Sequence, residues 1–555
     1  MTQALTLHLA QLNPVVGDIN GNLALAREEV AHAAKAGADL VVLPELFLMA
    51  YPPEDLVMKP SAVDLCQAAV EALAAETRPG GPAVLVGTPW RGEAGKLHNS
   101  AVLLEGGEIQ FRWDKRELPN YGVFDEVRLF APGEGPPRTL MFRGVRLGIA
   151  VCEDIWFPRV PEALKAAGAE LMVVPNGSPW RRTSQAERAR AFGQWSGLGL
   201  PYVWVNQVGG QDELVFDGAS FCVDGDGTRH QIMGDFETAH AQVRFEPGPG
   251  RFTLIGAKAR EPSLTEGLEA EYRAASLALG DYVRKNRFPG VVLGLSGGID
   301  SALTAAIAVD ALGPERVWCV MMPSRYTSLE SLEDAKACAE ALGVRYETVS
   351  IAPGVAAFDE MLGPLFAGRA PDLTEENLQS RLRGVTLMAL SNKFGHMVVT
   401  TGNKSEMAVG YATLYGDMCG GYNPLKDFYK TEVFALARWR NAKVPRGALG
   451  PAGEVIPERI ITKPPTAELR EDQKDEDSLP SYQVLDDILR GLVDGEEDLD
   501  DILARGHDEA VVRRIEHLLY VAEYKRRQAP PGVKIGPRNF GRDRRYPITN
   551  RFRDD

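Results

Sequence analysis

Apolar positions along the chain mark out two stretches of β-α alternation. Leu5, Leu7 and Leu9 alternate with Thr6, His8 and Ala10, the pattern of a half-buried strand. Leu23, Ala26, Val30 and Ala33 recur at helical spacing, which predicts a helix over 22–36 closed by Gly37. A strand follows from Leu40, and short apolar runs at 84–87, 100–104, 147–151, 171–175 and 202–206 predict more. These are too many for one small doubly wound unit and fit a two-sheet sandwich covered by helices. Around 248–262 the pattern breaks into Gly, Pro and charge. We therefore expect a first domain over 1–255, a linker over 256–264 and a second α/β domain over 265–555. Ser263-Leu-Thr-Glu266 has the form of a capping box, opening a helix with Tyr272, Ala275, Leu279 and Val283 on one face.

In that second stretch a buried strand, 291–295, runs into Ser296, Gly297, Gly298, Asp300 and Ser301 and then into a helix. Small residues at such a turn let backbone amides surround an anion, and the helix N-terminus favours negative charge. The Gly-X-X-X-X-Gly-Lys-Ser/Thr signature of the common phosphate loop is absent. A further strand, 396–400, leads into Thr400-Thr-Gly-Asn-Lys-Ser-Glu406, which brings amide, lysine, hydroxyl and carboxylate groups to a sheet edge.

The 555 residues allow two to four domains, and 45% apolar with 25% charged residues is ordinary for a soluble globular enzyme. No apolar run reaches membrane-spanning length, and residues 1–10 lack the basic segment of a signal peptide. The six cysteines are scattered without a Cys-X-X-Cys pair, which suits reduced thiols in a cytoplasm. A net charge of −15 argues against non-specific nucleic-acid binding, although local basic clusters can still hold a phosphate-rich ligand. Acidic segments lie at 468–477 and 494–501. A basic tail carries Lys534, Arg538, Arg542, Arg544, Arg545, Arg551 and Arg553. That tail is either a solvated face or a ligand or subunit contact.

Glu45 follows Leu43-Pro44, Lys115 sits in Trp113-Asp-Lys-Arg116, and Cys152 sits in Gly148-Ile-Ala-Val-Cys-Glu-Asp154. Singly, each has a bland reading as surface charge or a small buried hydrophobe. Together, in this order, they resemble the Glu–Lys–Cys triad of the nitrilase, or carbon–nitrogen hydrolase, superfamily, over residues 3–255. The resemblance implies an α-β-β-α sandwich in which Cys152 is the nucleophile and carries a thioester. Glu45 would be the general base, Lys115 the oxyanion stabiliser and Glu126 a supporting carboxylate. The stretch from Lys115 to Glu126 has the form of glutamine-using members, which implies that Tyr121, Glu153 and Ser178 line a glutamine pocket. Where members carry a basic residue six positions after that serine, this chain has Ser184, so Arg181, Arg182 or Arg188 is left to hold the substrate carboxylate.

Ser296-Gly-Gly-Ile-Asp-Ser301 resembles the pyrophosphate loop of N-type ATP pyrophosphatases. With the segments at 376–383, 400–417, 425–431 and 464–480, it resembles the NAD synthetase family over 265–555. The final stretch, 541–550, resembles that family's glutamine-dependent members. The resemblance implies a doubly wound parallel sheet of Rossmann type and a ligase that uses ATP as co-substrate. It would adenylylate deamido-NAD⁺ and amidate it with ammonia from glutamine, giving AMP and pyrophosphate. By the same resemblance Ser296, Gly297, Gly298, Asp300, Ser301, Thr401, Lys430 and Thr466 would bind ATP. Asp300 and Glu406 would hold Mg²⁺, a hard cation suited to carboxylate and phosphate oxygens. Asn377, Arg381, Arg383 and Lys404 would contact deamido-NAD⁺. Where some members have an arginine near ATP this chain has Met322, with Arg325 as a replacement. A homo-oligomer, at least a dimer, is implied, and the face of Ala270, Ala274 and Ala278 is a place for a second helix or for packing within the domain. Ammonia is mostly protonated at neutral pH, so a sheltered route between the two centres is expected.

Two rival readings fare worse. A GMP-synthetase type of amidotransferase would need a Cys–His–Glu glutaminase, and an asparagine-synthetase type would need Cys at position 2, which is Thr2. A nucleotide sensor that had lost catalysis would lack Cys152, Lys115 or Asp300, and all three are present.

Overall fold

The computed structural model describes residues 4–92, 95–255, 262–471 and 473–553. Backbone contacts divide the chain into two compact units, 1–211 with 215–265, and 212–214 with 266–555. Most of the expected linker, 256–261, lies outside the described residues.

The first unit is built on two sheets. One contains β1 (Leu5–Gln11), β2 (Leu40–Val42), β3 (Ala83–Arg91), β4 (Leu97–Glu105) and β5 (Glu108–Asp114). The other contains β6 (Thr139–Phe142), β7 (Val145–Ile149), β8 (Leu171–Asn176), β9 (Tyr202–Asn206), β12 (Phe221–Val223) and β13 (Arg229–Gln231). The ribbon of β10 (Val208–Gln211) and β11 (Leu214–Asp217) precedes β12. The last two strands, β14 (Ala239–Glu246) and β15 (Arg251–Ile255), return to the first sheet, giving the order β15-β14-β1-β2-β3-β4-β5. The expected alternation decides which residues face inward. Leu5, Leu7 and Leu9 meet Leu147, Val173, Val203 and Trp204 in one core between the sheets. Helices α1 (Ile19–Lys35) and α2 (Pro60–Glu76) cover the outside of the first sheet, and α4 (Arg159–Ala166) and α5 (Ser184–Gly193) belong to the second sheet's layer. A short α3 (Glu126–Leu129) lies between β5 and β6. This is the expected α-β-β-α sandwich. The first helix starts three residues earlier than its apolar spacing predicts, because the Asp18 side chain caps Gly21 N–H at 3.0 Å.

The second unit opens with α6 (Gly267–Lys285), β16 (Val291–Gly294), α7 (Ile299–Leu312), β17 (Val317–Met321), α8 (Leu329–Leu342) and β18 (Arg345–Thr348). Next come α9 (Ala352–Leu362), α10 (Leu373–Phe394), β19 (Met397–Val398), α11 (Lys404–Val409), α12 (Lys430–Ala442) and α13 (Glu458–Thr462). It ends in α14 (Tyr482–Leu489), α15 (Leu499–Leu503), α16 (Glu509–Val521) and α17 (Glu523–Arg526). The sheet order is β18-β17-β16-β19, every neighbouring pair parallel. The chain therefore winds outward from β16 on one side and returns on the other. The gap between β16 and β19 is a topological switch point, where doubly wound folds bind ligands.

One expectation needs correction, and two open alternatives are narrowed. The capping box at Ser263 does not form: α6 begins at Gly267 with Glu266 as its cap, because Thr265 donates its N–H and its hydroxyl to Asp235, both at 2.6 Å, which holds it outside the helix. Of the two readings of the α6 alanine face, packing within the chain is the one found. Ala270, Ala274 and Ala278 are buried in their own domain, and the helix packs on α7. The basic tail is paired in part and solvated in part: Arg545 and Arg551 are exposed. Lys534 pairs with Asp543, Arg538 with Glu496 at 2.6 Å, and Arg544 with Glu523 at 3.3 Å.

α6, α7 and α12 are joined by a buried ion pair. Arg440 Nε and Nη2 bond Asp310 at 2.6 and 3.0 Å, and Tyr272 donates to the same carboxylate at 2.6 Å. Removing the acid would leave the guanidinium buried without its counter-charge. We expect Asp310→Ala to destabilise the domain by about 3–5 kcal/mol, read as a lower midpoint in urea unfolding. An unchanged midpoint would show that the pair carries no stability.

Candidate functional site

The first centre forms where strands of the two sheets end. Glu45 follows β2, Lys115 follows β5, and Cys152 opens a single turn after β7. Cys152 sits at φ +43°, a left-handed conformation that a non-glycine residue adopts only under constraint. The Lys115 ammonium is fully buried between two carboxylates, 2.7 Å from Glu45 Oε1 and 2.8 Å from Glu126 Oε1. Asn99 Nδ2 donates to Glu45 Oε1 at 2.7 Å, and the Tyr51 hydroxyl donates to Glu126 Oε1 at 2.9 Å. Glu45 Oε2 is buried without a hydrogen-bond partner, so one oxygen of the expected base remains free to take a proton.

Burial opposes the charge on Lys115, but Glu126 and Glu45 outweigh it and hold the ammonium well above its usual range. Burial likewise pushes the Glu126 carboxyl up, against the pull of Lys115. Burial and then Glu45 push the Cys152 thiol up, while Lys115 and the Gly177 N–H work against them. The sulfur therefore rests as a thiol beside a base, and becomes a nucleophile as its proton leaves.

One carboxylate that sequence reasoning missed fastens two of these loops together. Asp154 Oδ1 accepts from Arg116 N at 2.8 Å and Glu117 N at 2.9 Å. Its Oδ2 accepts from Trp113 Nε1 at 2.9 Å and Val151 N at 3.0 Å. The Lys115 loop and the Cys152 turn are thus tied to each other. Asn99 and Tyr51 were also missed, because nothing in their local sequence distinguishes them.

Of the expected pocket residues, Tyr121 donates to Glu153 Oε1 at 2.9 Å, and burial pushes the Glu153 carboxyl up. The Ser178 N–H is held by Asn206 Oδ1 at 2.9 Å. Three arginines could replace the basic residue expected at Ser184. Arg188 is buried in a bidentate pair with Asp217 at 2.7 and 2.9 Å and also contacts Ser178. Arg181 is half-buried and bonds Glu187 Oε2 at 2.6 Å. Arg182 is exposed.

The second centre lies at the switch point, in a cavity of about 740 Å³. The loop after β16 closes on itself. Ser301 Oγ accepts from Ser296 N at 3.2 Å and donates to Gly298 O at 3.0 Å, and Gly298 N donates to Ser296 Oγ at 3.2 Å. Gly297 has φ +79°, and a Cβ there would come within 2.4 Å of Ser331 O, so only glycine fits. The segment after β19 meets this loop: Asn403 Nδ2 donates to Asp300 Oδ1 at 2.8 Å, and its Oδ1 caps α11 at Glu406 N. Lys430, first residue of α12, extends its ammonium to Asp300 Oδ2 and to Glu406 Oε1, the latter at 3.1 Å. Burial disfavours that charge, yet Asp300 and Glu406 hold it above its usual value. Burial pushes the Glu406 carboxyl up, as does Asp300, against Lys430. A third acid, Asp475, unassigned from sequence, faces the same group and accepts from Tyr482 at 2.8 Å and Tyr411 at 3.2 Å. Three carboxylates against one ammonium leave a surplus of hard oxygen charge, a donor set that fits a divalent cation of the magnesium class.

Ser296, Gly298, Asp300, Ser301, Thr401, Glu406, Lys430, Thr466, Asn377 and Arg383 all line this cavity. Gly297 and two expected deamido-NAD⁺ contacts do not. Lys404 is buried at the far side of its helix, salt-bridged to Asp427 at 2.8 Å and Asp494 at 2.9 Å. Arg381 donates to Leu414 O at 3.2 Å beside the cavity. Arg325 does not replace the arginine absent at Met322: it lines a separate, smaller cavity and bonds the neighbouring Tyr326 hydroxyl at 2.7 Å.

Comparison with known proteins agrees with this two-centre layout. Residues 6–246 match the carbon-nitrogen hydrolase family, and residues 271–529 match the NAD synthase family. The chain is 52% identical to the glutamine-dependent NAD(+) synthetase of Rhodobacter capsulatus, with 100% of both chains covered. It is 48% identical to that of Xanthomonas campestris pv. campestris (strain 8004), covering 100% of this chain and 99% of the relative. The solved glutamine-dependent NAD⁺ synthetase of Acinetobacter baumannii, in complex with adenosine diphosphate, superposes with a TM-score of 0.78 at 40% identity. That alignment covers 99% of each chain.

The four-donor junction at Asp154 is open to test. Asp154→Asn keeps the shape but turns an N–H toward two of the donors, and each buried donor left unmade costs about 1–3 kcal/mol. We expect a clearly lower melting transition for the first unit by calorimetry. A wild-type transition would show that the loops are held by other contacts.

Proposed function

The chain belongs to the glutamine-dependent NAD(+) synthetase family, and on that premise we propose how its two centres divide one reaction. It is a ligase that amidates deamido-NAD⁺ at the expense of ATP, with nitrogen drawn from glutamine. The observation that carries the assignment is the pairing, in a single chain, of Cys152 beside Glu45–Lys115–Glu126 with Asp300–Lys430–Glu406 at a sheet switch point.

In the first domain, over 1–255, the free oxygen of Glu45 takes the Cys152 proton as sulfur attacks the glutamine amide carbon. Lys115 stabilises the oxyanion, and Asn99 and Glu126 keep that ammonium and the base in register. Glu45 returns the proton to the departing nitrogen, and ammonia leaves. Water then adds to the thioester with Glu45 again as base, releasing glutamate and the thiol. Tyr121, Glu153 and Ser178 orient the glutamine, and one of Arg181, Arg182 and Arg188 meets its α-carboxylate.

In the second domain, over 265–555, the Ser296–Ser301 loop and Thr401, Lys430 and Thr466 hold ATP. The nicotinate carboxylate of deamido-NAD⁺ attacks the α-phosphorus, pyrophosphate departs, and an acyl-adenylate remains. Ammonia attacks its carbonyl carbon, AMP leaves, and the amide is formed. Asn377 and Arg383, which line the cavity, contact deamido-NAD⁺. Asp300 and Glu406 would hold Mg²⁺, which when bound neutralises triphosphate charge and favours departure of pyrophosphate. Lys430 supplies a fixed positive charge at the same place. We further propose that the protein acts in the cytoplasm as a homo-oligomer, in keeping with reduced cysteines; no described helix is long and apolar enough to cross a membrane.

Cys152→Ala should abolish synthesis from glutamine and leave synthesis from ammonium salts within about twofold of wild type, since the thiol serves only the first centre. Loss of both activities would give Cys152 a structural role. Asp300→Asn should do the opposite and remove synthesis with either nitrogen source, by at least a hundredfold, while glutamine hydrolysis persists. Normal ammonia-dependent turnover in Asp300→Asn would place the cation site elsewhere.

A further inference from the structure

His8, Glu29 and His240 form a cluster that neither centre uses. They converge on the outer, helix-covered face of the first sheet, away from the core between the sheets. His8 lies on β1, His240 on the neighbouring β14, and Glu29 on α1, with its carboxylate facing both. His8 Nε2 is 2.7 Å from Glu29 Oε2, and His240 Nδ1 is 3.1 Å from the same oxygen. His32, one helical turn after Glu29, brings its Nδ1 to 3.5 Å from Glu29 Oε1. The rings of His8 and His32 each stand 5.0 Å from that of His240. Three of the chain's eight histidines thus gather around one glutamate.

We propose that His8, Glu29, His32 and His240 form a binding site for a transition-metal cation of the zinc class. Imidazole nitrogen with one carboxylate oxygen is the donor set that such borderline cations select, and a tetrahedral ion bound at roughly 2.0–2.1 Å separates its ligand atoms by about 3.4 Å. The ligand atoms of His8, Glu29 and His240 all lie within 4.8 Å of one another, and the contacts to Glu29 span 2.7–3.5 Å. A small outward shift of side chains admits the ion. Glu-X-X-His on one helical face is itself a recurrent metal-binding spacing. His8 is fully buried, and its other ring nitrogen has no hydrogen-bond partner, so the ring's polar contact in this apolar layer is to the cluster. His32 and His240 are about half exposed, which gives an ion a path from solvent. An ion held there would fasten α1 to β1 and β14.

The test is zinc titration of the full chain after chelator treatment, by calorimetry. Excess Mg²⁺ saturates the hard oxygen site, and Cys152→Ala throughout removes the reactive thiol as a competing ligand. We expect one equivalent bound at micromolar or tighter concentration, and tetrahedral cobalt(II) bands in the visible spectrum on cobalt substitution. His240→Ala, at a half-exposed position, should melt like the parent without zinc, bind zinc at least tenfold more weakly and lose the cobalt bands. No zinc binding by the folded parent, or equal binding and unchanged cobalt bands in His240→Ala, overturns the proposal.

Discussion

An ammonium with no access to water must be met by carboxylates, and this requirement organises both halves of the molecule. Lys115 stands between Glu45 and Glu126, and Lys430 between Asp300 and Glu406. Removing one partner from such a set strands the remaining charge, so each acid, each lysine and the loops that carry them are bound into one arrangement. In the first unit the three residues come from three separate segments. In the second they come from the starts of three helices, α7, α11 and α12. Charge compensation thereby fixes the proposed catalytic groups before any substrate arrives, the condition for electrostatic preorganisation.

The two sets differ in what surrounds them, and that difference supports the chemistry proposed for each. Around Lys115 the groups are held by Asn99, Tyr51 and the Asp154 junction, leaving one oxygen each of Glu45 and Glu126 and one thiol uncommitted. That is equipment for moving a single proton and forming a single covalent bond. Around Lys430 the acids open onto a cavity of about 740 Å³, next to a glycine turn at a helix N-terminus. That is equipment for gripping a polyanion with its cation. Family membership and full-length similarity to glutamine-dependent synthetases join the two chemistries into one reaction.

Much of this was legible in the sequence because it is written locally. Alternation at 5–10, the apolar run at 291–295 and the Ser-Gly-Gly turn each carry their structure within a few residues. What stayed hidden depends on partners far along the chain. Asp154 matters because it collects donors from residues 113, 116 and 117, and the His8 cluster because it spans 232 positions of sequence. Lys404 was misplaced for the converse reason. Its neighbours in sequence, Asn403 and Glu406, face the cavity loop, but helical geometry turns its side chain toward Asp427 and Asp494. The Ser263 capping box failed because Asp235 captures Thr265 first.

The central claim is that nitrogen released at Cys152 ends in a product activated at Asp300. It is tested most directly by supplying amide-¹⁵N glutamine with ATP, Mg²⁺, deamido-NAD⁺ and a modest pool of unlabelled ammonium, then following products by mass spectrometry and ³¹P resonance. The account predicts NAD⁺ carrying ¹⁵N in its carboxamide, with one AMP and one pyrophosphate for each NAD⁺ formed. Formation of ADP and phosphate instead, or an unlabelled carboxamide while glutamine is consumed, would contradict it.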